Sequence, residues 1–133
     1  MKAIIRHLVG SGIIVSSFAA AGVTVTAHHS FAPFDLTVEK TITGTVSKFE
    51  WTNPHSWIWV DVPNGKGGVD TWAVEGMSPN YLARRGWTKS TLKFGDKISI
   101  AVRPMKNGQN AGMFVRAALA DGRVLTQVDQ PKD

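Results

Sequence analysis

The stretch TITGTVSKFEW, Thr41 to Trp51, decides how the chain is read. Ile42, Gly44 and Val46 alternate as a strand with one buried face requires, and Phe49 and Trp51 then continue in the opposite phase. A slip of one residue near Ser47-Lys48 is what a β-bulge produces, and Gly44 permits a tight bend. A strand that bends and changes face suits a sheet curling into a barrel.

Working outward, Thr52-Asn53-Pro54 is a turn and Ser56 to Val62 a second strand. Pro63-Asn64-Gly65-Lys66-Gly67-Gly68 is a turn-rich loop, followed by a short third strand from Asp70 to Glu75. Ser78 then caps a short helix, with Pro79 at its first position and Gly86 stopping it after Arg85. Leu92-Lys93-Phe94-Gly95-Asp96 is a tight turn into Lys97 to Arg103, where Ile98, Ile100 and Val102 alternate. Met113 to Leu119 and Arg123 to Val128 are the last strands, joined at Asp121-Gly122. Three strands, a helix, then two or three strands is the order of an OB-fold. The expected class is therefore all-β, a small OB-like barrel with one short helix between strands 3 and 4. Another small barrel, or a sandwich carrying an added helix, shares that order.

Upstream of this domain, residues 1–27 read as a signal peptide. Lys2 and Arg6 precede an apolar run from Leu8 to Val23, and Val25-Thr26-Ala27 supplies the small residues a signal peptidase reads. Gly10, Ser11, Gly12, Ser16 and Ser17 dilute the run, which disfavours a permanent anchor. The division is then signal peptide 1–27, N-terminal arm 28–40 and barrel 41–129, with the mature chain in the periplasm and not stably inserted in a membrane. Cleavage removes two of the 15 basic residues and no acid, lowering the formal charge from +5 to +3. So small a charge, together with export, argues against a nucleic-acid partner. The absence of cysteine excludes disulfides, thiolate metal sites and a cysteine nucleophile.

On the second strand Ile58, Val60 and Val62 face one way, and His55, Trp57 and Trp59 the other. The aliphatic face belongs inside the barrel, which leaves an imidazole and two indoles on the outer face where OB-folds bind by stacking. Alternatively the arm, through Phe31, Pro33 and Phe34, lies over this row and buries it. Cleavage after Ala27 also makes His28 the first residue. Its free amine and ring Nδ1 together chelate a metal, and His29 or His55 completes a T-shaped nitrogen set of the kind that suits Cu(II). The plainer alternative places His55 in a turn and His28-His29 in solvent. Met77, Met105 and Met113 read as packing residues rather than soft copper ligands. Glu75 precedes the Gly76-Met77-Ser78-Pro79 bend, where it either serves a ligand site or hydrogen-bonds the helix start. Arg84-Arg85 suits the last carbonyls of the helix. No nucleophile with an activating base, phosphate loop or zinc signature is present, so no catalytic residue is assigned.

The run Ala27-His28-His29-Ser30-Phe31, the segment Glu50-Trp51-Thr52-Asn53-Pro54-His55-Ser56-Trp57, and Leu92-Lys93 with Gly95-Asp96 resemble a family of small exported proteins of Gram-negative bacteria. That family is uncharacterised. The resemblance spans essentially the whole mature chain and implies a single-domain periplasmic protein, with no activity to transfer. The expected function is binding: copper through His28 with His55 or His29, or a glycan, peptide or envelope protein on the Trp57/Trp59 face. A copper-dependent redox enzyme is the third and least favoured class.

Overall fold

The computed structural model describes residues 31–127. Six strands and one helix follow in the order β1 (Lys40–Glu50), β2 (Trp57–Pro63), β3 (Val69–Glu75), α1 (Pro79–Ala83), β4 (Lys97–Pro104), β5 (Ala111–Leu119) and β6 (Val124–Thr126). The sheet runs β3-β2-β1-β4-β5-β6, and an additional β3–β5 pairing closes the first five strands into a barrel. This is the expected OB-like arrangement, with the helix between β3 and β4. β6 is an extra short strand hydrogen-bonded to β5. Val128, the last residue of the strand expected over Arg123 to Val128, lies outside the described residues.

β1 is the hinge of the barrel because it pairs with both β2 and β4. Its register against β2 shifts between Val46 and Lys48, the bulge its phase slip predicts. Gly44 sits where β1 crosses closest to β2: a Cβ there would run into the backbone carbonyl of Asp61. The closing β3–β5 ladder is parallel and short, pairing Ala73 with Ala111, Val74 with Gly112 and Glu75 with Met113.

Alternation fills the interior. Ile42, Val46, Ile58, Val60, Val74, Ile98, Ile100 and Val102 are buried, as the period of two in each strand dictates. One end of the barrel is plugged from α1 and the segment after it. The Ser78 hydroxyl accepts from the Tyr81 N–H at 3.4 Å, and Pro79 opens the helix. Gly86, at φ 85°, takes a left-handed conformation that ends it. Leu82 from the helix and Trp87 just after it turn inward. Trp87, 2% exposed, meets Phe114 edge-on at 5.3 Å and Phe49 at 6.2 Å. Its indole N–H points at the Thr126 carbonyl, 3.4 Å away.

Candidate functional site

The outer face of β2 carries the side chains that the core has no room for. Trp57 and Trp59 are each half-buried, with ring centroids 6.0 Å apart and planes tilted by 32°. Trp59 stands opposite Lys48 of β1, whose ammonium lies 5.0 Å above the indole and is ion-paired with Glu50. The chain's own cation therefore occupies that end of the row. Trp57 stands between Glu50 of β1 and Glu75 of β3.

His55 sits in the turn just before β2. Its Nδ1 lies 3.0 Å from the Gly76 carbonyl oxygen and 2.9 Å from Glu75 Oε1. A carbonyl and a carboxylate only accept, so Nδ1 carries the ring proton. In the neutral imidazole the lone pair is then on Nε2. The backbone around this contact is fixed: Ser56 N–H donates to the Met77 carbonyl at 3.1 Å, and Gly76 N–H to the Ser56 carbonyl at 2.8 Å. Thr52 Oγ1 donates to the His55 carbonyl at 3.0 Å. Of the two expectations for Glu75, the helix start goes to Ser78, while the Glu75 carboxylate turns back to His55.

The arm reaches this corner by backbone pairing. Phe34 forms an antiparallel bridge with Met105, Asp35 N–H donates to the Pro104 carbonyl at 2.8 Å, and Lys106 N–H to the Pro33 carbonyl at 2.9 Å. Asp35 also holds the turn that follows, since its carboxylate accepts from Thr37 N–H at 3.0 Å and Thr37 Oγ1 at 2.6 Å. These bonds, the side-chain one foremost, keep the Asp35 carboxyl below the usual carboxylate range. Phe31 is 50% exposed and is not an anchor; Phe34 is half-buried and bridged to Met105, while Pro33, itself exposed, is tied down through its backbone carbonyl.

Between the arm and the β3–β5 seam lies an apolar cavity of about 230 Å³. Pro33, Phe34 and Met105 form one wall, Trp57 and Glu75 another, and Ala73 and Ala111, with side chains of a single methyl group, complete the lining together with Gly112. The arm thus walls Trp57 without burying the whole aromatic row. Of the residues singled out in the sequence, His55, Trp57 and Glu75 come together, with Trp59 adjoining through its ring contact. His28 and His29 lie outside the described residues. Among the described residues no group of three or more His, Cys, Asp or Glu is placed to hold a metal. Among the same residues no helix is long and apolar enough to cross a membrane.

The methionines divide. Met77 packs against the core, Met113 pairs with Glu75 along the seam, and Met105 lines the cavity. Met105 and the small seam residues escape sequence reasoning because their proximity to Trp57 arises from a parallel pairing that local periodicity does not encode. Arg85 fulfils the helix-end expectation: its Nη1 donates to the Tyr81 carbonyl at 3.2 Å, and its guanidinium stacks 3.7 Å from the Tyr81 ring centroid.

The chain belongs to a family of unknown function (DUF6152), whose profile matches residues 15–116. That span includes the bulged first strand, the His55–Glu75 contact, the helix and most of β5. The curated proteins include no match to the sequence.

Proposed function

We propose that the mature chain, released into the periplasm by cleavage after Ala27, is a small binding protein. It holds one copper ion between its N-terminal histidine and the His55 corner. His28 chelates through its α-amine and ring Nδ1, and His55 Nε2 supplies the third nitrogen, with His29 as the alternative donor. Nitrogen donors of this kind favour Cu(II), which stands highest in affinity among divalent first-row ions.

The observation that carries this reading is the pairing of His55 Nδ1 with Glu75 and the Gly76 carbonyl. Metal-ligating histidines characteristically donate their other ring N–H to a carboxylate or carbonyl, which fixes the ring and raises the basicity of the ligating nitrogen. Covalent reach agrees with it. His28 lies three positions before Phe31, a span of at most about 11 Å, and Phe34 is bridged beside the cavity that Glu75 lines. Trp57 and Trp59 would wall the ion from solvent.

Calorimetric titration of Cu(II) into protein beginning at His28 tests the proposal, with the same chain extended by one residue as control. Tight one-to-one binding that is lost on extension, and weakened at least tenfold by His55→Ala, is the expected result. Binding indifferent to the extension overturns it.

The half-buried Trp57/Trp59 pair favours a second reading, a non-metal module that uses this aromatic face for a glycan, a peptide or an envelope protein. Deleting the arm separates the two, because it removes a metal site based on His28 and opens an aromatic groove.

A further inference from the structure

The cavity has a chemical character that neither copper nor a glycan explains. It is a half-open cleft lined by an indole, a phenyl ring, a thioether and a proline, and among the described residues Glu75 is its one charged lining residue. Among the described residues no cationic side chain lines it, which gives an anion no charged partner there. A sugar needs several polar partners, and the cavity offers one polar side chain. At about 230 Å³ it falls below the roughly 300–1,000 Å³ of pockets for drug-sized ligands, which leaves room for a body of only a few heavy atoms.

We propose that this cavity binds a small organic ammonium ion, its alkylated nitrogen set against the Trp57 and Phe34 rings and its charge balanced by Glu75. Aromatic faces attract cations through their quadrupole, most strongly where water is displaced, and alkylated ammonium ions carry the apolar surface such a box requires. The hydrogen bond from His55 takes one Glu75 oxygen at 2.9 Å without cancelling the carboxylate charge. The site therefore combines a fixed negative charge with apolar walls inside a chain whose overall charge is positive. It makes no use of His28 and stands whether or not copper binds.

The test is a titration of metal-free mature protein, in the presence of chelator, with tetramethylammonium and with choline, followed by amide and indole NMR shifts. The neutral carbon isostere of choline is the control. The expected result is saturable shifts at the Trp57 indole and at the Ala111 and Gly112 amides, with the neutral isostere about tenfold weaker or worse. Glu75→Gln keeps an oxygen for the His55 N–H but removes the charge, and it should weaken the cations about tenfold while leaving the isostere unchanged. Trp57→Leu should weaken both cations, and Trp59→Leu neither. Equal binding of the isostere, shifts centred elsewhere, or no shift at tens of millimolar ligand overturns the proposal. Because chelator is present throughout, these outcomes are independent of the copper titration.

Discussion

Trp87 and Trp57 show two uses of one residue type on the same barrel. Trp87 is enclosed by Phe114, Phe49 and the helix end, and its N–H is directed at a carbonyl. Trp57 is half-buried, touches the Trp59 ring, and borders a cavity lined by two alanines and a glycine. Where side chains interlock around an indole, the indole contributes stability through dispersion and area removed from water. Where the neighbours are small, the same ring leaves volume and an aromatic face for something else. The plugged end maintains the fold, and the arm corner keeps open volume beside an aromatic face.

Truncating each side separates these roles. Trp87→Ala should produce the largest effect, about 3–5 kcal/mol of lost stability in urea unfolding, because it empties the plug beneath the helix. A loss under about 1 kcal/mol would show that the plug is not what closes that end. Gly44→Ala should follow at about 1–3 kcal/mol, since the added methyl group meets the Asp61 carbonyl where β1 crosses β2. Both substitutions should leave ligand affinity intact in whatever fraction remains folded. Trp57→Leu should reverse the pattern, costing about 1 kcal/mol in stability and most of the binding at the corner. A Trp57→Leu protein that unfolds as readily as Trp87→Ala would erase the distinction.

The smallest effect concerns the arm. Asp35 has its carboxyl held below its ordinary value of 3.8 by Thr37, so its contribution is fully present above that pH and is lost as pH falls through the lower, folded value. The Thr37 and Phe34 amide shifts should therefore hold steady from neutrality to about pH 4 and move only below it. In Asp35→Asn that acid transition should vanish. A transition near pH 6 would instead assign the arm's attachment to another group.

Much of the fold was legible because the deciding signals are local. The phase slip between Val46 and Phe49 announced the bulge, the Ser78-Pro79 pair announced the helix, and alternation in β2 and β4 announced which faces turn inward. The site was half legible. The outward row of His55, Trp57 and Trp59 follows from the same period of two, but its partners do not. Phe34 meets Met105, and Ala73 meets Ala111, only through pairings between segments distant in sequence. Glu75 was open to two readings because a carboxylate three residues before a helix cap suits its N-terminus. The capping hydroxyl of Ser78 is closer to the first-turn N–H groups, and His55, brought alongside by the β2–β3 register, takes the carboxylate.

The central claim is that the mature N-terminus and the His55 corner form one site. Paramagnetic broadening tests it most directly: substoichiometric Cu(II) added to isotope-labelled protein beginning at His28, with the His55 ring nitrogens and the Trp57 indole observed. The account predicts a metal-free His55 protonated at Nδ1, and loss of the His55, Glu75 and Trp57 signals together with those of the arm. Broadening confined to the N-terminal residues, with His55 and Trp57 unchanged, would contradict it.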